Sequence, residues 1–232
     1  MRAVVMAAGE GSRLRPLTER WPKPVLPIDG KAVIATLLRE LAGAGCTDVH
    51  VVTGHLAEQV EELIGDGAAF GLRVMYVRQP QADGSADAVR RALDAGAEPP
   101  FLVLGADTVF TPGDVGRFAA AAAGADGGLA VRREPPPTPG HRGAVRIEVG
   151  RVRRVLDGDP ANPLAAAPLW LLGPALVPFL AGLGGPPFEL AEAVQRAIDA
   201  GLAIAGVEIG KTRDLTRPVD LVKENFPYLG SA

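Results

Sequence analysis

The chain has 232 residues, of which 47% are hydrophobic, and its formal net charge is -3. A chain of this size can bury a full core, and its mild acidity argues against nucleic acid as a partner, because phosphate-backbone binding needs a basic face. A single cysteine, Cys46, excludes an internal disulfide and a cysteine metal cluster. Because the sequence has neither a long apolar span nor a signal peptide, we expect one cytoplasmic domain over residues 1–232 with no membrane partner. The sequence leaves a homo-oligomer open.

Short apolar runs alternate with helical patterns through the first half of the chain. Strands are predicted at Ala3–Met6, Asp48–Val52, Leu72–Val77 and Phe101–Gly105, and helices at Ala32–Gly43, Ala57–Gly65 and Ser85–Ala95. This alternation predicts right-handed βαβ units, in which helices cover both faces of a parallel sheet and ligands bind at the carboxyl ends of the strands.

Proline and glycine punctuate the second half more heavily. The pattern predicts, in order, an Ala-rich helix at Ala119–Ala123, a strand near Gly128–Arg132, a mobile loop at Glu134–Gly140, a strand at Leu169–Leu172, a helix from Pro174, a helix at Phe188–Ala200 and a strand at Ile204–Glu208.

The stretch Ala7–Pro27, which we call the signature loop, follows the first predicted strand. Gly9 and Gly11 carry no side chain that would keep backbone N–H groups away from phosphate oxygens. Arg13 can hold two phosphate oxygens with its planar fork, and Lys23 stands between two prolines that restrict the backbone around its charge. The loop therefore predicts a site for two phosphoryl groups, as in a nucleoside triphosphate.

Two known phosphate motifs do not fit this loop. The dinucleotide fingerprint needs a third glycine where Leu14 stands, and no GxxxxGK[ST] sequence occurs. The competing interpretation is a glycine-rich turn followed by a solvated basic loop.

The pattern G-x-G-x-R-x-x-P-x-T followed by P-K-P resembles the signature of the sugar-1-phosphate nucleotidyltransferases. The resemblance implies a Rossmann-like three-layer α/β/α nucleotidyltransferase fold with a mostly parallel sheet. It also implies that Ala8, Gly9 and Gly11 bind the nucleotide and that Arg13 and Lys23 are catalytic.

The segment RQPQADGSADAV predicts the base-recognition element. Gln79 carries both donors and an acceptor, which suits a pyrimidine edge that presents an N–H and a C=O. Gly84 permits close approach, and Ser85 is expected to cap the following helix. In the resembling family, a glutamine and a glycine here read uracil or thymine. An ordinary turn before a helix is the alternative.

A metal site is predicted from two aspartates. Asp107 follows an apolar strand, and a carboxylate beside phosphates is a ligand that Mg²⁺ uses. Asp214 lies in RDLTRPVDL, which resembles the segment of the family that carries the second metal-binding aspartate. Glu208 is the fallback ligand. The alternative for both aspartates is a capping role.

The acceptor site is predicted at a hairpin. A hairpin is predicted from Ala144–Val149 and Val152–Leu156 with a Gly150-Arg151 turn, and we expect it over the acceptor site. Gly143 resembles the sugar-contacting glycine of the family. Many relatives have Glu-Lys-Pro after this hairpin, whereas this chain has Asp157 and no lysine.

These features favour a Mg²⁺-dependent enzyme that joins an NTP, with UTP or dTTP favoured, to a sugar 1-phosphate and releases pyrophosphate. No general base is expected, because a phosphate monoester with a second pKa near about 6 is already mostly dianionic at neutral pH. The alternatives are a non-sugar acceptor, such as an alditol phosphate, inositol phosphate or phosphocholine, and a non-catalytic regulatory subunit that binds sugar nucleotides.

Overall fold

The computed structural model describes residues 1–134 and 143–226. The strands in these residues are β1 (Arg2–Ala7), β2 (Pro27–Ile28), β3 (Lys31–Ala32), β4 (Asp48–Thr53), β5 (Arg73–Arg78), β6 (Phe101–Gly105), β7 (Thr108–Val109), β8 (Gly127–Arg133), β9 (Val145–Glu148), β10 (Arg151–Val155), β11 (Leu164–Leu172), β12 (Ile204–Ile209) and β13 (Arg213–Asp214). The α-helices are α1 (Val33–Gly43), α2 (Ala57–Ile64), α3 (Ser85–Asp94), α4 (Asp114–Ala121), α5 (Leu190–Asp199) and α6 (Pro218–Asn225). The loop predicted at Glu134–Gly140 lies, beyond Glu134, outside the described residues.

Within the described residues, nine strands form one mixed sheet in the order β5-β4-β1-β6-β11-β8-β12-β10-β9. The neighbours β5, β4, β1 and β6 run parallel, as the βαβ interpretation predicted, and β8 and β12 are also parallel. The remaining pairs are antiparallel. Helices pack on both faces, so the predicted three-layer α/β/α, Rossmann-like class is confirmed.

Alternation along β1 explains how both faces are covered. Ala3 and Val5 belong to an apolar cluster with α1, whereas Val4 faces the opposite cluster with α3 and α5. Successive side chains of a strand point to opposite sides, so a fully apolar strand needs a helix layer on each. The short buried run that follows Arg2 therefore specifies a central strand.

Helix α4 begins earlier than the Ala-rich pattern predicted. Gly113 precedes it in the left-handed region, at φ 83°, and the fully buried Asp114 accepts a hydrogen bond of 2.7 Å from the Gly210 amide. That contact ties the start of α4 to the segment leading into β13. The helix ends at Ala121, so the predicted Ala119–Ala123 boundaries were wrong at both ends.

The predicted hairpin exists as β9 and β10, but its turn is displaced by one residue. Val149 and Gly150 form the turn, with φ values of 49° and 72°. The hairpin extends the edge of the sheet beyond β12. Antiparallel pairing therefore fixes its place at the sheet edge.

The second half differs most in its helices. The helix predicted from Pro174 is a 3₁₀-helix, Pro174–Leu180, which holds an internal proline. The helix predicted to start at Phe188 starts at Leu190. In the described part of the chain, no helix combines the length and apolar character that crossing a membrane requires.

Candidate active site

Parallel pairing brings two chain segments to one edge of the sheet. The register of β1 and β6 aligns Met6 with Gly105, so the signature loop and Asp107 leave their strands side by side. This is the edge at which open α/β sheets bind ligands.

The signature loop folds into three 3₁₀ turns, at Ser12–Leu14, Leu17–Glu19 and Lys23–Val25. Its buried anchor is Thr18, whose hydroxyl donates to the Gly11 carbonyl oxygen at 2.9 Å. The His55 Nε2 atom lies 2.6 Å from the Thr18 carbonyl oxygen, so the histidine holds the loop from the β4–α2 side. The loop is therefore fixed before any ligand arrives.

Backbone amides of the loop remain available. Within the described part of the chain, the N–H groups of residues 9–13 make no hydrogen bond, whereas the next amide, that of Leu14, donates to the Gly11 carbonyl oxygen at 2.8 Å. Gly11 adopts φ 61°, and an added Cβ there would lie 2.9 Å from Thr18 Cγ2. Consecutive unpaired amides next to a left-handed residue form an anion-binding nest.

The cations of the loop differ in their partners. Arg15 pairs with Glu10 at 3.3 Å, and no described carboxylate lies within ion-pair distance of the exposed Arg13. Lys23 Nζ lies 2.5 Å from Asp107 Oδ2, with 18% of the lysine side chain exposed. The lysine is held at the strand end by Asp107.

Asp214, the second predicted metal ligand, is positioned beside Asp107 by a two-residue strand pairing. Strand β13 pairs antiparallel with β7, which sets Asp214 opposite Thr108, next to Asp107. Although Asp214 is open to the cavity, desolvation by the surrounding protein raises the pKa of its carboxyl; Lys23 opposes the shift and Asp107 adds to it.

The donor set fits Mg²⁺. Desolvation is the main cause of the raised pKa of Asp214, and repulsion from the neighbouring Asp107 carboxylate adds to it; a divalent cation would relieve that repulsion. The described residues contain no group of three or more acidic, histidine or cysteine side chains that could hold a metal. A cation held by Asp107 and Asp214 would therefore take its other ligands from phosphate and water, as Mg²⁺ commonly does.

The prediction that Gln79 offers both donors and an acceptor to a base was wrong. Its Nε2 group donates to Asp87 Oδ2 at 2.9 Å and to the Gly84 carbonyl oxygen at 3.1 Å, so both donors are occupied inside the protein. Both partners are acceptors, which fixes the orientation of the amide. Only 4% of Gln79 is exposed, yet the residue lines the cavity, and its Oε1 atom has no partner in the described residues and is not completely buried. Gln79 thus offers an acceptor only.

Gly84 and Ser85 join α3 to the segment before α5. Gly84, at φ 106°, is the N-cap of α3, and an added Cβ would lie 2.3 Å from the Phe188 carbonyl oxygen. The expectation that Ser85 caps its own helix was wrong, because its hydroxyl accepts from the Leu190 amide and donates to Glu189 Oε2, each at 2.7 Å. The serine thus holds Glu189 in position.

These residues enclose a single cavity of about 620 Å³, a size typical of small-ligand sites. All the predicted nucleotide-binding, catalytic and metal-binding residues line it. The wall includes Ala8, Gly9, Gly11, Arg13, Lys23, Gln79, Gly84, Ser85, Asp107, Pro168, Glu189, Asp214 and Thr216.

The two predicted acceptor residues are not brought into this cavity. Asp157 lies in a separate cavity by the hairpin, where Asn162 and Arg146 donate to its carboxylate. Burial alone would raise the pKa of Asp157, but those hydrogen bonds hold it below its usual range. The Gly143 carbonyl oxygen accepts from the Ala166 amide, as part of the pairing with β11. In the described residues the hairpin thus borders this second cavity, and its place over the acceptor site stays a prediction.

Sequence reasoning missed Glu189 and gave Asp87 no role. Glu189 was placed inside a helix, although it precedes α5 and lines the cavity. Asp87 has Arg90 and Arg91 three and four positions later, a spacing that in sequence indicates surface ion pairs. The fallback ligand Glu208 forms a two-point ion pair with Arg133 at 2.9 and 3.0 Å.

A phosphate nest, two cations and two carboxylates at a strand edge define a class of nucleotide-binding α/β proteins. The Nucleotidyl transferase family model matches residues 2–157, and the chain belongs to that family. This match confirms the resemblance carried by the signature loop.

The chain is similar to several known proteins. It is 28% identical to the low-salt glycan biosynthesis nucleotidyltransferase Agl11 of Haloferax volcanii and 31% identical to a glucose-1-phosphate thymidylyltransferase of Streptomyces griseus. Each alignment covers 97% of this chain but only 65% of the relative. The fold also resembles the inositol-1-phosphate CTP transferase structure of T. maritima, with a TM-score of 0.80 and 18% identity over 94% of this chain and 90% of that one.

The contact at Gly84 yields a stability prediction. Gly84→Ala places a methyl group against the Phe188 backbone in a conformation that favours glycine, and should lower the free energy of unfolding by about 3 kcal/mol or more. Gly96→Ala is the matched control, because φ is 95° there but the space is open, and should cost about 1–2 kcal/mol. Denaturant unfolding measures both, and equal losses would contradict the contact.

Proposed function

We propose that the chain is a Mg²⁺-dependent nucleotidyltransferase that joins an NTP to a sugar 1-phosphate, giving an NDP-sugar and pyrophosphate. The main support for this proposal is the row of unpaired backbone amides at residues 9–13, which lies beside Arg13 and Lys23. Family membership supports this activity, and the names of the relatives support a sugar phosphate as acceptor.

The reaction needs no proton transfer from the protein. A phosphate oxygen of the acceptor attacks the α-phosphorus of the NTP, a new P–O bond forms, and the bond to the β-phosphate oxygen breaks to release pyrophosphate. Because the acceptor phosphate is already largely dianionic at neutral pH, the protein contributes position and positive charge.

Arg13 and Lys23 divide the charge between them. Arg13, free of ion pairs in the described residues, would bind the departing pyrophosphate through its planar fork. Lys23 has three N–H donors, and Asp107 takes one of them, so two remain for the α-phosphate and the acceptor phosphate. Asp107 and Asp214 would hold Mg²⁺, which supplies further positive charge to the reacting phosphates.

Gln79 would select the base. Its free Oε1 accepts from the ring N–H of uracil or thymine, whereas cytosine presents an acceptor nitrogen there. A site that leaves two acceptors facing each other penalises the wrong base.

A non-sugar acceptor is the second candidate. In the described residues, the cations lining the cavity are Arg13 and Lys23, and both belong to the signature loop. The family resemblance implies a lysine after the hairpin that holds the sugar phosphate, and this sequence has no lysine at that place. The fold likeness to an inositol-1-phosphate CTP transferase makes a non-sugar acceptor a specific alternative.

A grid of triphosphates against phosphate acceptors tests the function. Pyrophosphate release should appear with UTP or dTTP and one or more sugar 1-phosphates. Release only with inositol 1-phosphate, an alditol phosphate or phosphocholine would favour the second candidate. No release with any pair, while sugar nucleotides still bind, would favour a regulatory subunit.

Lys23→Ala should lower turnover by roughly 100- to 1000-fold, the usual effect of losing one preorganised charge. The fold should persist, because 37% of the Asp107 side chain is exposed and water can solvate the carboxylate. Lys31→Ala is the control, since Lys31 is an exposed lysine on β3. Near wild-type turnover in Lys23→Ala would remove the bridging role.

The metal ligands can be tested by Mg²⁺ titration of turnover. Asp107→Asn and Asp214→Asn should each raise the Mg²⁺ concentration needed for half-maximal activity, because an amide lacks the charge that offsets Mg²⁺ dehydration. Glu208→Gln should leave the titration unchanged, since Glu208 pairs with Arg133. If Glu208→Gln raised the required Mg²⁺ concentration and Asp214→Asn did not, Glu208 would be the second ligand.

The base assignment predicts that UTP and dTTP are used roughly 10- to 100-fold better than CTP. Gln79→Ala should raise KM for the preferred triphosphate and narrow this ratio while leaving the acceptor KM nearly unchanged. Gln81→Ala, in the same loop but exposed, should change neither. A wild-type preference for CTP or GTP would show that Gln79 does not read the base in this way.

A further inference from the structure

Asp87 is a buried carboxylate on α3 with only 6% of its surface exposed. Its Oδ2 atom accepts from Arg91 Nε at 2.6 Å and from Gln79 Nε2 at 2.9 Å, and its Oδ1 atom accepts from Arg90 at 3.0 Å. Burial alone would raise the pKa of Asp87, but the hydrogen bonds from Arg91, Gln79 and Arg90 hold it below its usual value. The group is therefore an ionised, acceptor-only partner for Gln79.

Because Asp87 can only accept hydrogen bonds, it restricts the orientation of the Gln79 side-chain amide. A side-chain amide can rotate by half a turn and exchange its oxygen with its NH₂ group at little steric cost. Rotation here would bring Gln79 Oε1 against the Asp87 carboxylate and the Gly84 carbonyl oxygen, so that three acceptors would face one another without a proton. Buried groups left unpaired in this way are costly.

We propose that Asp87 is a positioning residue for base selection, which holds Gln79 with its oxygen toward the nucleobase. The inference rests on the proposed function in that it takes Gln79 as the base-reading side chain. Asp87 makes the site accept a base that presents a ring N–H and reject one that presents a bare ring nitrogen. Arg90 and Arg91 act behind it, by fixing the carboxylate.

The test compares binding of UDP and CDP by calorimetry in the wild-type protein, Asp87→Ala, Asp87→Asn and Asp94→Ala. Binding is measured without acceptor, so the result is independent of turnover. Asp87→Ala should reduce the UDP-to-CDP affinity ratio about 5- to 10-fold, the effect of one hydrogen bond. Asp87→Asn should keep most of the ratio, because its oxygen can still face Gln79 and Arg91. Asp94→Ala, an exposed aspartate on the same helix, should keep all of it.

The UDP-to-CDP affinity ratio distinguishes a positioning role of Asp87 from a purely structural role, because loss of a structural contact would weaken the binding of both nucleotides equally. Both arginines are partly exposed and can turn to water, so Asp87→Ala should fold; if circular dichroism shows otherwise, Asp87→Ser gives the same comparison. In a Gln79→Ala background, Asp87→Ala should change the ratio no further.

The outcomes also separate this inference from the proposed function. An unchanged ratio in folded Asp87→Ala, or no UDP preference in the wild type, overturns the role of Asp87. Loss of the ratio in a protein that releases no pyrophosphate with any pair supports Asp87 and overturns the proposed enzyme.

Discussion

The parallel pairing of β1 with β6 is the constraint on which the site depends. It aligns Met6 with Gly105, and so places the signature loop and Asp107 at one sheet edge although almost a hundred residues separate them in sequence. The ion pair between Lys23 and Asp107 spans this junction at 2.5 Å. The two-residue ladder of β7 with β13 then adds Asp214. A register shift in β1 would separate the nest from the carboxylates.

Without a ligand, one lysine serves both carboxylates at this edge. Lys23 pairs with Asp107 at 2.5 Å and opposes the rise that burial and Asp107 cause in the pKa of Asp214. A divalent ion would supply positive charge that the two neighbouring aspartates lack, and a triphosphate would bring negative charge toward Arg13 and Lys23. Each ligand would therefore favour binding of the other, because a divalent ion beside the carboxylates offsets the negative charge that a triphosphate adds.

The sequence predicted the parts of the fold that periodicity determines. The six elements α1, β4, α2, β5, α3 and β6 were found within one residue at each end, because apolar strands and amphipathic helices alternate there without competing patterns. The two-residue strands β2 and β3, which precede them, were not predicted. Sequence reasoning failed where tertiary contacts decide. Helix α4 starts at Asp114 because a buried carboxylate binds the Gly210 amide, and the spacing of alanines contains no trace of that contact. The acceptor role of Asp157 stays a prediction, and its contacts with Arg146 and Asn162 in a separate cavity could not be read from its place after the hairpin.

The lining of the phosphate cavity bears on how an acceptor could bind there. Glu189, held by Ser85, lines the cavity together with Pro168 and Thr216. The Glu189 carboxylate and the Thr216 hydroxyl suit hydroxyl groups of a ligand better than an anion. The cations that line the cavity in the described residues both come from the signature loop. The acceptor phosphate would then have to share Lys23 with the α-phosphate of the nucleotide. Because both phosphates would contact the same cation, Lys23 would hold the acceptor phosphate close to the α-phosphate. The absence of a second lysine would therefore weaken binding of the acceptor more than it would increase the distance between the two reacting phosphates in the bound complex.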